Sequence, residues 1–123
     1  MNVVDSSAWL AYFADEKNSA KFAHAIETMD ELLVPSVIIT EVFKHVLRQE
    51  GENKALQIIA NMSQAKVVDL DTQLAISAAS FGHEYKLPLA DSIIYASAAK
   101  YDATLWTQDS DFEGLPNVEY FAK

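Results

Sequence analysis

The chain has 123 residues and a mass of 13.6 kDa, which suits one domain around a single core and leaves too little for two. Half of the residues are apolar and 22% are charged, a globular composition that excludes disordered and fibrous classes. Eighteen acidic residues against nine basic ones give a net charge of -9, which excludes a broad basic footprint for duplex DNA and confines any nucleic-acid contact to a local patch. Asn2 to Asp5 reads as a short buried strand, and Ser6 or Ser7 as the cap of a helix carrying Trp9, Leu10, Tyr12 and Phe13. Phe22, Ala23, Ile26 and Met29 recur at helical spacing and predict a second helix from Ser19 to Met29. Leu32 to Val34 is a second strand, closed by Pro35 and Ser36, and Val37 to Gln49 a third helix ended by Gly51. Asn53 is the expected cap of a fourth helix whose apolar face is Leu56, Ile59 and Ala60. Lys66 to Leu70 follows as a third strand, then a helix from Asp71 or Thr72 to Tyr85. Pro88 breaks the chain, Asp91 opens a helix through Ile94, Ala98 and Tyr101, and Ala103 to Thr107 is a fourth strand. Val118 to Phe121 is a candidate edge strand.

Helices separate the strands, and parallel pairing requires such crossovers, so the expected fold is α/β: a small parallel sheet of four or five strands with helices on both faces. Only three glycines and three prolines occur, with no repeat or linker, so residues 1–123 read as one domain. Cysteine is absent, which removes disulfides, thiolate metal sites and cysteine nucleophiles. With no basic leader before Asp5 and no apolar run near the ~20 residues of a membrane span, the expectation is a soluble, cytoplasmic protein.

Parallel sheets bind ligands beyond the carboxyl ends of their strands, which singles out four acids. Asp5 ends the first strand, Glu41 lies within the third helix, Asp91 heads a helix, and Asp109 follows the fourth strand, with Asp111 two residues on as a possible fifth. Asp5 and Asp91 also suit ordinary helix starts, and Asp109 and Asp111 ordinary turn chemistry. Glu41 shares its helix face with Lys44, His45 and Arg48, either as a solvated pair with Lys44 or as an acid beside three candidate phosphate contacts. Convergence of all the acids on one pocket would raise one another's pKa unless a cation lay between them, and an oxygen-only cluster suits Mg²⁺ or Mn²⁺. His24 and His83 have no partner at metal-ligand spacing. Trp9, Tyr12, Phe13, Phe22, Phe43 and Trp106 read as core or interface, with the ring-rich first helix a candidate to meet another chain.

Four segments together, Val3-Val4-Asp5-Ser6-Ser7, Thr40-Glu41-Val42-Phe43, Leu87-Pro88-Leu89-Ala90-Asp91-Ser92 and Thr107-Gln108-Asp109-Ser110-Asp111-Phe112, resemble the PIN domain, specifically its VapC-type ribonuclease toxins. The resemblance runs from residue 3 to residue 112 in order, without a large insertion. It implies a single PIN-like domain and a metal-dependent endoribonuclease using one or two Mg²⁺ or Mn²⁺ ions. Asp5, Glu41, Asp91 and Asp109 would form the catalytic and metal-binding quartet, with Asp5, Asp91 and Asp109 as direct ligands and Glu41 holding a second ion or orienting water. Ser6, Thr107 and Asp111 would support it. The resemblance also implies an RNA substrate, a VapB-type antitoxin partner and a homodimer. A solitary PIN nuclease in RNA processing and a catalytically silent interaction module stay open. A phosphoacceptor receiver would take Asp69 or Asp71 as its acceptor but lacks an acidic pair at Asp5-Ser6-Ser7 and a lysine near Thr107-Gln108. A haloacid-dehalogenase-like phosphatase would need an acid where Ser7 stands.

Overall fold

Val3 and Val4, both buried, lie in β1 (Asn2–Val4), too short and too apolar on both sides to be anything but an interior strand. The computed structural model covers residues 1–123 and continues with α1 (Ser6–Phe13), α2 (Ser19–Glu27), a 3₁₀ turn at Met29–Glu31 and β2 (Leu32–Pro35), whose four residues are all buried. Then come α3 (Ser36–Glu50), α4 (Glu52–Met62), β3 (Lys66–Val68), α5 (Thr72–Tyr85), α6 (Leu89–Lys100), β4 (Thr104–Thr107), a 3₁₀ turn at Ser110–Phe112 and β5 (Val118–Tyr120). All five strands are parallel, in the order β3-β2-β1-β4-β5, and six helices flank them. The expected α/β architecture therefore holds, with the candidate edge strand Val118 to Phe121 observed as Val118–Tyr120 and completing the sheet beside β4.

Register fixes where the functional end lies. Val3 pairs with Leu33 on one side and Leu105 on the other, and the ladder runs on through the Asp5 amide to the Trp106 carbonyl at 3.1 Å. Strand order reverses between β1 and β4, and that reversal is where parallel sheets open a crevice for ligands. Asp5 and Asp109 stand at this point, one just beyond each strand. No helix is long and apolar enough to cross a membrane.

Several local expectations are corrected. Asp5 itself caps α1, accepting from the Ala8 amide at 3.0 Å, so neither Ser6 nor Ser7 is the cap. A carboxylate at that position outcompetes a hydroxyl because it is charged and faces the positive end of the helix. The second helix stops at Glu27, and Met29 belongs to the tighter turn that follows. Gly51, at φ +90°, both ends α3 and starts α4, a left-handed geometry that glycine adopts at no steric cost; Asn53 is already inside the helix. Ala55, Ile58 and Met62 form the buried face of α4, one residue out of phase with the expected Leu56, Ile59 and Ala60, and Leu56 is exposed. Pro88 occupies the cap of α6, which places Asp91 third in the helix. Asp71 caps α5 through the Leu74 amide at 2.8 Å and meets Lys100 at 3.6 Å in an ion pair. That structural use, and the strand order, remove the receiver reading.

Candidate active site

Three elements bring carboxylates to the β1–β4 crevice. Asp5 is held by its own helix start: Oδ1 accepts from the Ser7 hydroxyl at 2.9 Å and the Ala8 amide at 3.0 Å, while Oδ2 accepts from the Thr107 hydroxyl at 2.7 Å. Thr107 closes the arrangement from β4, since its hydroxyl oxygen also accepts from the Asp109 amide at 2.9 Å. One buried hydroxyl thus ties the first acid to the backbone of the last. Asp109 in turn caps the 3₁₀ turn through the Asp111 amide at 2.9 Å, which turns the chain so that Asp111 follows it into the crevice. Asp91 arrives from the first turn of α6, where the helix dipole favours an acid.

The side chains of Asp91, Asp109 and Asp111 each offer an oxygen within 4.8 Å of the others. Asp5 and Glu41 lie outside this trio but close enough to act on it. Burial raises the Asp91 carboxyl to about 8, and the charges of Asp109, Asp5, Asp111 and Glu41 push in the same direction. Burial likewise raises Asp5 to about 6, against its three hydrogen bonds and with a smaller push from Asp109. Glu41 is raised by burial and by Asp109, while Ser6 beside it works the other way. All five acids singled out in the sequence are therefore in electrostatic contact. Like charges so gathered in a partly buried place call for a cation.

The donor set fits a hard divalent ion. Every available ligand is a carboxylate oxygen, the chemistry of Mg²⁺ and Mn²⁺. Glu41 Oε1 is shielded from solvent and has no hydrogen-bond partner, and an orphaned buried carboxylate oxygen is costly unless something positive or protic meets it. Asp5 is different. Three of its roughly four lone-pair sites are already engaged, so it has one left to offer.

Sequence reasoning missed three residues here. Ser7, rather than Ser6, bonds to Asp5; Ser6 turns toward Glu41. The signal was available, because a side chain two places after a helix cap can reach back to it. Gln108 and Asn18 are buried polar residues joined at 3.1 Å, and Gln108 Nε2 reaches the Ser7 carbonyl at 3.3 Å. Nothing near Asn18 in sequence announces that role. On the other flank Ser6, Leu10, Glu41, Lys44, His45 and Arg48 line a shallow groove of about 310 Å³. Lys44 forms no ion pair with Glu41, since the chain's one ion pair is Asp71 with Lys100. Trp9 is wholly buried and stacks on Phe13, so it serves the core.

The PIN domain family profile matches residues 3–117. The chain belongs to the PIN domain family. As a single PIN domain it is similar to several solved structures. The toxin-antitoxin complex from Klebsiella pneumoniae shares 22% identity over 100% of both chains, with a TM-score of 0.82. Mycobacterium tuberculosis VapC20, a sarcin-ricin loop cleaving toxin, shares 17% identity over 97% of this chain and 98% of its own, with a TM-score of 0.78. VapBC2 from Rickettsia felis, bound to a DNA fragment from its promoter, shares 14% over 97% of each chain, with a TM-score of 0.75. No curated protein matches the sequence.

Proposed function

We propose that this PIN domain is a Mg²⁺- or Mn²⁺-dependent endoribonuclease, the toxin of a VapBC-type pair, acting in the cytoplasm as a homodimer held in check by a VapB-type antitoxin. The observation that carries the reading is the convergence of Asp5, Glu41, Asp91, Asp109 and Asp111 at the strand-order reversal of a PIN fold. Similarity to toxin-antitoxin proteins over nearly the whole chain supports the toxin and antitoxin parts of it. Five acids gathered at one crevice are more than a silent interaction module needs, so the nuclease is preferred.

Asp91, Asp109 and Asp111 would hold the cation, with the free lone pair of Asp5 and the orphaned oxygen of Glu41 on its flanks. Bound there, the ion would supply Lewis-acid stabilisation of a phosphate and a more acidic water. Thr107 and Ser7 keep Asp5 from rotating, which preserves the geometry at no cost during the reaction. Glu41, its proton affinity raised by burial, would take the proton of the attacking water. Lys44, His45 and Arg48 would meet the phosphates of the strand, giving an acidic chain a local basic hold on RNA.

The test is cleavage of a mixed RNA pool by purified, antitoxin-free protein. Cuts should appear with Mg²⁺ or Mn²⁺, disappear with EDTA, and fall by at least about a hundredfold in Asp91→Asn. Wild-type rates in that variant, or cuts that ignore EDTA, would overturn the reading.

A further inference from the structure

On the β5 side of Asp109, away from the Lys44–Arg48 groove, lies a second set of depressions that the proposed chemistry does not use. Glu41 rides on the helix after β2, whereas Tyr120 ends β5, so the two flanks lie on opposite sides of the β1–β4 reversal. A cavity of about 450 Å³ is lined by Ser7, Gln108, Asp109, Ser110, Tyr120 and Lys123. It adjoins another of about 250 Å³ that shares Gln108 and Lys123 and adds Glu16, Lys17 and Asn18. The larger lies within the range of small-molecule sites, roughly 300–1,000 Å³. Asp109 belongs both to this cavity and to the acidic trio, so whatever fills it touches the reacting centre.

Its lining is specific in kind. Tyr120 is its one apolar member, half-buried and set among two hydroxyls, an amide, the Asp109 carboxylate and a cation. The amide is not free to swing. Asn18, 2% exposed, donates to Gln108 Oε1 at 3.1 Å and to the Ala122 carbonyl at 3.0 Å, while Gln108 Nε2 reaches the Ser7 carbonyl. Gln108 nevertheless keeps one N–H and a lone pair for a visitor. A flat ring beside a fixed amide edge suits a nucleobase: stacking accepts any base, and an immobilised amide discriminates among base edges.

Resting on the nuclease reading, we infer that this cavity is a subsite for the nucleoside adjoining the scissile phosphate. Its base lies on Tyr120 with its edge read by Gln108, and Lys17 and Lys123 take the next phosphate. The substrate is then single-stranded at that point, because a base stacked on a side chain has left its own helix. The strand would cross the acidic centre from one cation-bearing flank to the other. Four of the nine lysines and arginines, Lys17, Lys44, Arg48 and Lys123, line these depressions, which gives a chain of net charge -9 a basic hold at each end of its acidic centre.

The test is binding, read separately from cleavage. ¹⁵N-labelled wild-type protein in EDTA at low ionic strength is titrated with the single-stranded hexaribonucleotides A₆, C₆ and U₆. The backbone amides of Ser110 and Tyr120 and the side-chain amide of Gln108 should shift and saturate. Tyr120→Leu should weaken binding at least about fivefold while Tyr120→Phe, which keeps the ring, stays within about twofold. Gln108→Ala should narrow the differences among the three oligomers. The subsite is overturned if no shifts occur here, if they are confined to Lys44, His45 and Arg48, or if Tyr120→Leu binds like wild type. A spectrum that collapses in Tyr120→Leu passes the decision to Gln108→Ala, for which unchanged selectivity is fatal to the proposal. Protein that cleaves the RNA pool without these shifts loses the subsite and keeps the nuclease; protein that shows them without cleaving loses the nuclease instead.

Discussion

Burial pushes the Asp91 carboxyl up to about 8, and the four carboxylates facing it push the same way. In the unfolded chain the same group titrates near 3.8, so between these values the folded state holds a proton that the unfolded state has lost. The sign follows from linkage: stability attached to this proton is complete below about pH 4 and is lost as pH rises through 8. Asp5, raised to about 6, adds a loss of the same sign that is complete earlier. The melting temperature of the metal-free protein should therefore fall between pH 6 and pH 8 on account of Asp91, and Asp91→Asn should flatten that segment. Thermal unfolding followed by circular dichroism in EDTA checks it; an equal slope in the variant would mean that Asp91 does not titrate there. At this scale the sequence was legible where a residue's role follows from its place at a strand end, as with Asp5 and Asp109. It was silent on Asn18 and Gln108, which meet across 90 residues of chain.

Helix α6, which carries Asp91, packs along α5. Gly82 on α5 faces Ser92, and a methyl group added there would lie 3.1 Å from the Ser92 Cβ. That is a few tenths of an ångström too close, so one helix must give, and Ser92 is the neighbour of Asp91. Gly82→Ala also removes a helix-interior glycine, a gain of about 1 kcal/mol that offsets a comparable overpacking cost. Stability should change little while metal-dependent RNA cleavage falls several-fold, since reacting geometry is far more sensitive to small displacements than packing is. Wild-type cleavage in a folded variant would show that the α5–α6 contact does not position Asp91. Element boundaries carry a related lesson. The α4 face was misjudged because Leu56, Ile59 and Ala60 and the buried Ala55, Ile58 and Met62 are both plausible apolar stripes, one residue apart. Which one turns inward is decided by α3 packed against it. Local periodicity establishes that a helix is amphipathic, and tertiary contact chooses among adjacent stripes.

Across the molecule, eighteen acids against nine bases work against compaction, and five of those acids meet at a single crevice. Strand alternation and the order of the acids along the chain were enough to anticipate that meeting. The oxygens that come closest, with Asp111 in place of Asp5, depend on the hydrogen bonds that occupy Asp5 and on the turn after Asp109. A divalent ion bound by the folded arrangement and not by the unfolded chain should stabilise by mass action, about 2.7 kcal/mol when present at a hundred times its dissociation constant. For a domain of this length that corresponds to a rise in melting temperature of roughly 10 °C. Mg²⁺ and Mn²⁺ should both produce it, and NaCl at matched ionic strength should not, since screening alone acts weakly on partly buried charges. Asp91→Asn should melt higher than wild type in EDTA, having shed the most burdened charge, yet gain less from the metal. The two effects have opposite signs in one variant, so a general loss of stability cannot mimic them. Equal responses to Mg²⁺ and NaCl, or an Asp91→Asn protein that keeps the full metal response, would place the cation somewhere other than this cluster.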